Sequence, residues 1–427
     1  MAWVLFFSFI TLVLIRVPIT MAIGAAVLGS LVLAGFSGQL YIMPLQVLEG
    51  VDNPALLAVP FFIMAGNLMN AVGMTDKIFN FALSIVGHFR AGLAQVNVLS
   101  SMIFAGVSGA AVADCAGLGT VEIRAMRERG YPADFAAAIT VASAVVGPII
   151  PPSISLVIYA FLSNTSVARL FLAGIIPGLV IGAALMIFNR IIAIRRDFPR
   201  EKRASLRQIG STAVDGVLAL IAPGIILGAI ITGYTTATEA GVLACAYSLL
   251  IGLVYRTLTW ESLWKALTDT MLITAVIMII IGYSTVMGWL LAIEQIPQQL
   301  AEAVLLTTEN RHVFLGMLII FLLLIGTVVE GVPAKLILVP MLLPIVDQFG
   351  IDRVHFGLII TNALLIGIAT PPMGIGLYIM VEVGKVSFEK VTMAVLPFLI
   401  PLILVLLLIT FFPPLTLWLP NYIMGVE

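Results

Sequence analysis

Apolar residues run along this chain in long blocks, without strict alternation, and the blocks are cut by short clusters of Gly, Pro and charge. About 20 apolar residues in a helix cross ~30 Å of hydrocarbon. Ten blocks approach that length: 3–16, 19–36, 54–72, 135–161, 168–190, 213–233, 239–256, 269–291, 356–382 and 395–418. The first is short and Pro18 divides it from the second, so residues 1–36 form either two helices or one long bent helix. Two further stretches, 92–125 and 313–347, are interrupted at their centres by SGAAVAD (108–114) and VEGVPAK (329–335). A helix that stops in mid-bilayer turns back, so both read as re-entrant hairpins. The pattern predicts an all-α integral membrane protein of about ten transmembrane helices and two re-entrant helical hairpins.

Charge placement tests that layout, because cytoplasmic loops carry an excess of Lys and Arg. With both interrupted stretches returning to their own side, one face collects Arg90, Arg124, Arg127, Arg129, Arg190, Arg195, Arg196, Arg200, Lys202, Arg203, Arg207, Arg256, Lys265, Lys385 and Lys390. The other keeps Arg169, Arg311 and Arg353. Fifteen against three assigns the rich face to the cytoplasm and both termini to the outside. Trp3, Trp260, Trp264, Trp289 and Trp418 fall near the expected helix ends, where indole rings sit among headgroups.

Shifting the sequence on itself by 220 residues superposes Gly106 on Gly326, Gly130 on Gly350, Gly147 on Gly367, Pro151-Pro152 on Pro371-Pro372 and Pro177 on Pro397. The matches fall on residues that set backbone geometry. In the layout above the first half enters its hairpin from the cytoplasm and the second from outside, which makes the halves inverted repeats. The expected organisation is residues 1–190 as the first repeat (hairpin 92–125, broken helix 135–161), 191–208 as a basic cytoplasmic linker, and 209–427 as the second repeat (hairpin 313–347, broken helix 356–382). Inverted repeats with broken helices at mid-membrane are a transporter pattern.

The breaks are GPIIPPS (147–153) and GIATPPMG (367–374). Proline lacks an N–H and clashes with the carbonyl four residues back, so these pairs should free the carbonyls of Gly147, Pro148, Gly367 and Ile368. An unpaired carbonyl in hydrocarbon costs several kcal/mol unless protein, water or an ion satisfies it. Sodium is one solution; kinks filled by neighbouring helices are the other. The small tip residues Ser108, Gly109, Ala110 and Ala111, with Gly326, Thr327, Gly331 and Pro333 in the second half, let each tip approach the break of its own repeat. Half-helices starting after Pro152 and Pro372 would aim positive dipole ends at the centre, which suits an anion.

Charges in these stretches need polar company. Asp114, Glu122, Arg124, Glu330 and Lys335 either contact a ligand or serve structure, Glu330 by capping or by pairing with Lys335. Asn67 and Asn362 read as substrate contacts or as helix–helix glue. Glu239 in TATEAG reads as a helix N-cap. His88, His312 and His355 are too scattered for a metal site.

Composition then narrows the function classes. The chain is 61% hydrophobic and 10% charged, against roughly 45–50% and 25% for soluble domains, so its main solvent is a lipid bilayer. A net charge of -1 offers nothing to a phosphate backbone, so nucleic acid is excluded as a partner. Cys115 and Cys245 match no redox or metal spacing and read as inert. The N-terminus has no basic region before its apolar run and no A-x-A site after it, and reads as a retained segment. No GxxxxGK[ST] motif is present to use ATP.

The stretches FAGVSGAAVADCAGLG, GYPADFAAAITVASAVVGPIIPPSI, TATEAG, FGIDRVHFGLIITNALLIGIATPPMG and PFFIMAGNLM resemble the large membrane subunit of tripartite ATP-independent periplasmic (TRAP) transporters, over nearly the whole chain. The resemblance implies a sodium-driven elevator transporter of the bacterial inner membrane. Its partners would be a small four-helix membrane subunit and a periplasmic substrate-binding protein, its substrate a small organic anion, and its cofactors at least two sodium ions. It implies a first sodium at Ser108, Gly147, Ile150 and Pro151, and a second at Thr327, Gly331, Thr370 and Met373. Gly109, Ala110, Asp114, Ser153 and Asn362 are the substrate-binding candidates. Ala110 stands where the family's first tip usually has a second serine, so a hydroxyl is missing there. The family's substrates are mostly carboxylates and sugar acids, with some sulfonates, and this sequence does not choose among them.

Two other readings compete. A stand-alone ion-coupled dicarboxylate carrier or sodium/proton antiporter would need no binding protein. An intramembrane enzyme using Asp114, Glu122 or Glu330 is opposed by the repeat symmetry and the lack of paired catalytic motifs, so the chain is expected not to be an enzyme.

Overall fold

The computed structural model describes residues 2–15, 17–33, 40–196, 198 and 201–426. Three expectations from the sequence fall outside them or on side chains that are not described: residues 16 and 34–36 of the first two segments, Arg195, Arg196 and Arg200 of the basic face, and Trp3.

The described residues are helical almost throughout, as lipid solvent requires of backbone that cannot bond to water. At the start, α1 (Ala2–Leu14) and α2 (Ile19–Leu33) are separate helices packed on each other, which settles the question left at Pro18. Next come α3 (Ile42–Val51), α4 (Ala58–Ala71) and α5 (Met74–Val86). The first hairpin descends through α6 (Gly92–Ser108) and returns through α7 (Ala111–Ala113), a π-helical turn at Asp114–Leu118, and α8 (Gly119–Glu128). The first broken helix is α9 (Ala133–Ala144) and α10 (Ile154–Ser163), followed by the 30-residue α11 (Val167–Arg196).

The second half opens with α12 (Leu206–Ile231), α13 (Ala237–Tyr255), α14 (Trp260–Ile293) and α15 (Ile296–Thr307). The second hairpin is α16 (Arg311–Gly326) and α17 (Gly331–Gln348). The second broken helix is α18 (Arg353–Ile368) and α19 (Ile375–Gly384), and the chain closes with α20 (Phe388–Phe411) and α21 (Pro414–Met424). The order hairpin then broken helix therefore occurs twice. Among the described residues, seven helices are long and apolar enough to cross a bilayer, and several shorter apolar helices join them.

Three expected segments shift. The block at 269–291 extends back to Trp260 as a 34-residue helix, because Thr259 and Ser262 form a reciprocal cap ahead of the apolar run. The block at 213–233 begins at Leu206, capped by Ser205. The block at 395–418 divides at Phe412–Pro413 into α20 and α21. Three helices, α3, α5 and α15, were not expected: each is short and carries polar residues along one face, so hydropathy alone passes over it. Glu239 is not the cap itself; Thr236 is, and Glu239 answers it from the third helical position.

Two packing relations position the centre of the molecule. The broken helices lie against each other: a Cβ at Gly357 would come within 2.4 Å of the Tyr159 ring. The Tyr159 hydroxyl donates to the Arg353 carbonyl at 2.5 Å. On another side, α4 packs between α13 and α14, and α4, α12 and α14 reach the cluster of hairpins and broken helices through α6, α10 and α17.

Candidate functional site

Each hairpin tip meets the break that follows it. Gly109 turns the first tip with φ +59°, a left-handed backbone that glycine adopts without strain, and a Cβ there would lie 2.7 Å from the Pro152 carbonyl. At the second junction a Cβ on Gly367 would fall 2.1 Å from the Gly326 backbone, so the two glycines close directly on one another. Both Pro-Pro bonds are cis.

The breaks do not free all four expected carbonyls. Pro148 accepts a hydrogen bond from the Ser153 hydroxyl, and Gly367 accepts from the Thr370 N–H at 3.0 Å. Leaving the helix lets downstream donors fold back onto these oxygens, so proline removal of one N–H does not by itself leave a carbonyl bare. The carbonyls of Gly147 and Ile368 accept no hydrogen bond among the described residues.

At the first junction the Ser108 hydroxyl donates to Asp114 Oδ1 at 2.6 Å. Asp114 Oδ2 is buried without a partner and would lie 2.7 Å from a Cβ on Gly147. An orphaned carboxylate oxygen, a serine oxygen and an unpartnered carbonyl segment in one place form an oxygen-rich donor set that fits sodium, a hard cation. Ile150 is turned away from it, with its side chain filling the space beside Gly178 on α11. At the second junction the fit is weaker in side-chain oxygen. Thr327 donates to the Leu324 carbonyl at 2.8 Å and Thr370 to the Ile366 carbonyl at 2.7 Å, each within its own helix. Met373 is half-buried in the break.

A cavity of about 740 Å³ lies between the hairpin tips on one side and α4 and α14 on the other. Of the sequence candidates, Ser108, Gly109, Ala110 and Gly331 line it. Asp114, Gly147, Pro151 and Ser153 sit behind that wall, and Asn362 is buried in α18 with neither amide atom hydrogen-bonded. Asn67 both lines the cavity and donates to Thr270 at 3.0 Å, so it joins α4 to α14 as glue and also faces the space. The acidic residues Asp269 and Glu330 line the cavity, and among the described residues no Lys, Arg or His does.

The sequence singles out Glu122 and Lys335 but passes over the polar residues that surround each. Glu122 is buried and accepts from Asn97 at 2.7 Å and Ser100 at 2.6 Å; Asn97 in turn bonds Thr140 and Ser143. Lys335 is fully buried and donates to the Ser155 hydroxyl, to the Ser155 carbonyl at 3.1 Å and to Thr361 at 3.4 Å. Glu330 occupies the N-cap position of α17, but its side chain makes no capping bond. Polar residues inside apolar runs, such as Asn97 in LAQVNVLSS, were the available signal.

The model of the family "Tripartite ATP-independent periplasmic transporter, DctM component" matches residues 6–415. The sialic acid TRAP transporter large permease protein SiaM of Vibrio cholerae is 42% identical over 420 residues, covering 98% of both chains. The C4-dicarboxylate TRAP transporter large permease protein of Pseudomonas aeruginosa is 36% identical over 382 residues, covering 89% of this chain and 90% of that one. The 2,3-diketo-L-gulonate TRAP transporter large permease protein of Escherichia coli is 34% identical over 402 residues, covering 92% and 95%. Among solved structures, the Alcanivorax borkumensis YdaH transporter shares the fold with a TM-score of 0.65 at 14% identity, covering 91% of this chain and 90% of that one. The relatives are named as permeases and not as enzymes, in line with the expectation from sequence. The chain belongs to the DctM component family of TRAP transporters and is a multi-pass protein of the bacterial inner membrane.

Proposed function

We propose that this chain imports a small organic anion, driven by at least two sodium ions, after a periplasmic binding protein delivers the anion. A small four-helix membrane subunit completes the complex. The observation that carries this reading is the orphaned Asp114 Oδ2 beside Ser108 and Gly147, directly behind a cavity bounded by both hairpin tips. Ser108, Asp114 and the Gly147 carbonyl would hold one sodium, and Thr327, Gly331, Thr370 and the Ile368 carbonyl the other. The bound cations would offset carboxylate charge near an anionic substrate. Ser108, Gly109, Ala110 and Gly331 face the substrate.

The two halves act as inverted repeats, and movement is of the elevator kind. Hairpins and broken helices travel as one body, while α4, α13, α14 and the small subunit stay as scaffold. The cavity supports this because its walls belong to both groups. The relatives' named cargoes, sialic acid, C4-dicarboxylate and 2,3-diketo-L-gulonate, give the candidate anions.

The test is uptake into proteoliposomes of those three anions, with and without a sodium gradient, the small subunit and the binding protein. Uptake that requires all three components is expected. Sustained uptake by the purified chain alone would support a stand-alone carrier instead, and gradient-independent uptake would remove sodium from the reading. Single cysteines at Arg127 and Arg353 should label from opposite faces, the first from the cytoplasm; labelling from one face would break the inverted arrangement.

A further inference from the structure

An importer of anions needs something positive near its cargo, and the cavity wall offers the reverse, with Asp269 and Glu330 on it and, among the described residues, no basic side chain. The nearest answer lies one residue behind the wall. An ammonium has three donors and no acceptor, and Lys335 finds three oxygens: the Ser155 hydroxyl, the Ser155 carbonyl at 3.1 Å and the Thr361 hydroxyl at 3.4 Å. Lys335 is fully buried and tethers α17 to α10 and α18.

The consequence is borne by Ser155. Its oxygen accepts from Lys335, so its own proton must point elsewhere, and that proton has no acceptor among the described residues. Ser155 also lines the cavity. A hydroxyl whose oxygen is held by an ammonium is a polarised donor, stronger than a free serine toward a charged acceptor.

We propose that Ser155 is a substrate-binding residue that donates to the carboxylate or sulfonate group of the transported anion, with Lys335 behind it as the positioning residue and fixed counter-charge. The inference rests on the organic-anion reading of the cavity. It assigns opposite jobs to two charges near one wall: Lys335 draws anions in, and Glu330, five residues earlier on the rim, opposes them.

The first arm of the test reads cavity potential directly and does not depend on knowing the cargo. In full-length protein in membrane vesicles, with Cys115 and Cys245 replaced by Ala, Val332→Cys supplies one thiol on the cavity wall. Its reaction rates with a methanethiosulfonate carrying a sulfonate and with one carrying a trimethylammonium give a ratio. Lys335→Met should lower the sulfonate-to-ammonium ratio about tenfold, and Glu330→Gln should raise it by a similar factor. Ser155→Ala should leave the ratio within about twofold while raising about tenfold the KM for whichever of sialic acid, C4-dicarboxylate and 2,3-diketo-L-gulonate is taken up, with turnover little changed.

A purely structural lysine predicts lower yield and turnover with no opposed shifts. An unchanged ratio in Lys335→Met, or shifts of the same sign in both charge variants, would overturn the proposal. So would the absence of any reaction at Val332→Cys from either side of the membrane, since the proposal needs a cavity that admits ions, and so would an unchanged KM in Ser155→Ala. A chain that takes up no organic anion while giving the opposed ratio shifts would sink the functional reading and leave the charge assignment standing.

Discussion

The two hairpin–break junctions use one backbone device and fill it with different chemistry. At the first, the tip leaves a buried carboxylate oxygen of Asp114 facing Gly147, with Ser108 holding the other oxygen. At the second, Gly326 and Gly367 close backbone on backbone, and Thr327 and Thr370 bond within their own helices. The buried charge of the second hairpin is a cation, Lys335, and its three contacts reach two other helices and not its own junction. Matching glycines and prolines thus set where the chain turns, and the unmatched polar residues set what each turn can hold. The first junction carries side-chain charge for a cation; the second is a steric latch with main-chain oxygen.

That contrast breaks most readily at the matched glycines. Gly367→Ala would set a Cβ 2.1 Å from Gly326 backbone atoms, which cannot rotate away, so hairpin and break must separate. Overpacking of this kind costs about 3 kcal/mol. Gly147→Ala meets the end of the Asp114 side chain at 2.7 Å, which can turn aside, so about 1 kcal/mol is expected. Thermal unfolding of the two purified variants measures the difference; equal losses would mean that the junctions are built alike.

The next effect belongs to the polar cluster beneath the first junction. Glu122→Ala leaves one amide hydrogen of Asn97 without its acceptor in a fully buried site, while the Ser100 hydroxyl can still donate to the Val96 carbonyl at 2.7 Å. One stranded buried donor costs about 2 kcal/mol. Glu122→Gln, which keeps one acceptor oxygen, should recover about half of that. A Glu122→Ala protein as stable as the parent would show that water enters the cluster and would remove it as a support for the first tip.

The parts of this molecule that could be read from sequence are those where lipid leaves few choices. Apolar run length marked most spans, and paired glycines and prolines marked both breaks, because those residues dictate backbone locally. The helices α3, α5 and α15 stayed hidden since their apolar faces pack on neighbours while polar residues interrupt the run. The fate of the break carbonyls was half legible. Proline deletes a donor four residues on, which sequence reveals, but the replacement donors come from chain geometry, as with Ser153 on Pro148 and Thr370 on Gly367. Ser155 was passed over for a similar reason. Nothing in PPSIS distinguishes Ser153, which caps α10, from Ser155, which meets a lysine 180 residues away.

The finest distinction between the junctions is carried by two hydroxyls. Ser108 donates to a buried carboxylate at 2.6 Å, a charge-assisted bond across the turn of the tip. Thr327 donates to the carbonyl three residues back in its own helix, a local bond of the kind that adds little to stability. Ser108→Ala would leave both Asp114 oxygens without a hydrogen bond among the described residues, so a stability loss of about 1.5 kcal/mol is expected. Thr327→Ala should cost about 0.5 kcal/mol or less. If sodium sits at both junctions, the two variants should also separate in sodium titrations of uptake. Ser108 is a neighbour of the charged ligand at its site, so its loss should raise the sodium needed for half-maximal transport about tenfold. Thr327 is one neutral oxygen among several, and about twofold is expected. Both measurements must move in the same order for the contrast to hold. A larger sodium effect from Thr327→Ala than from Ser108→Ala would mean that the second junction is the better cation site, and that the orphaned Asp114 oxygen serves something other than sodium.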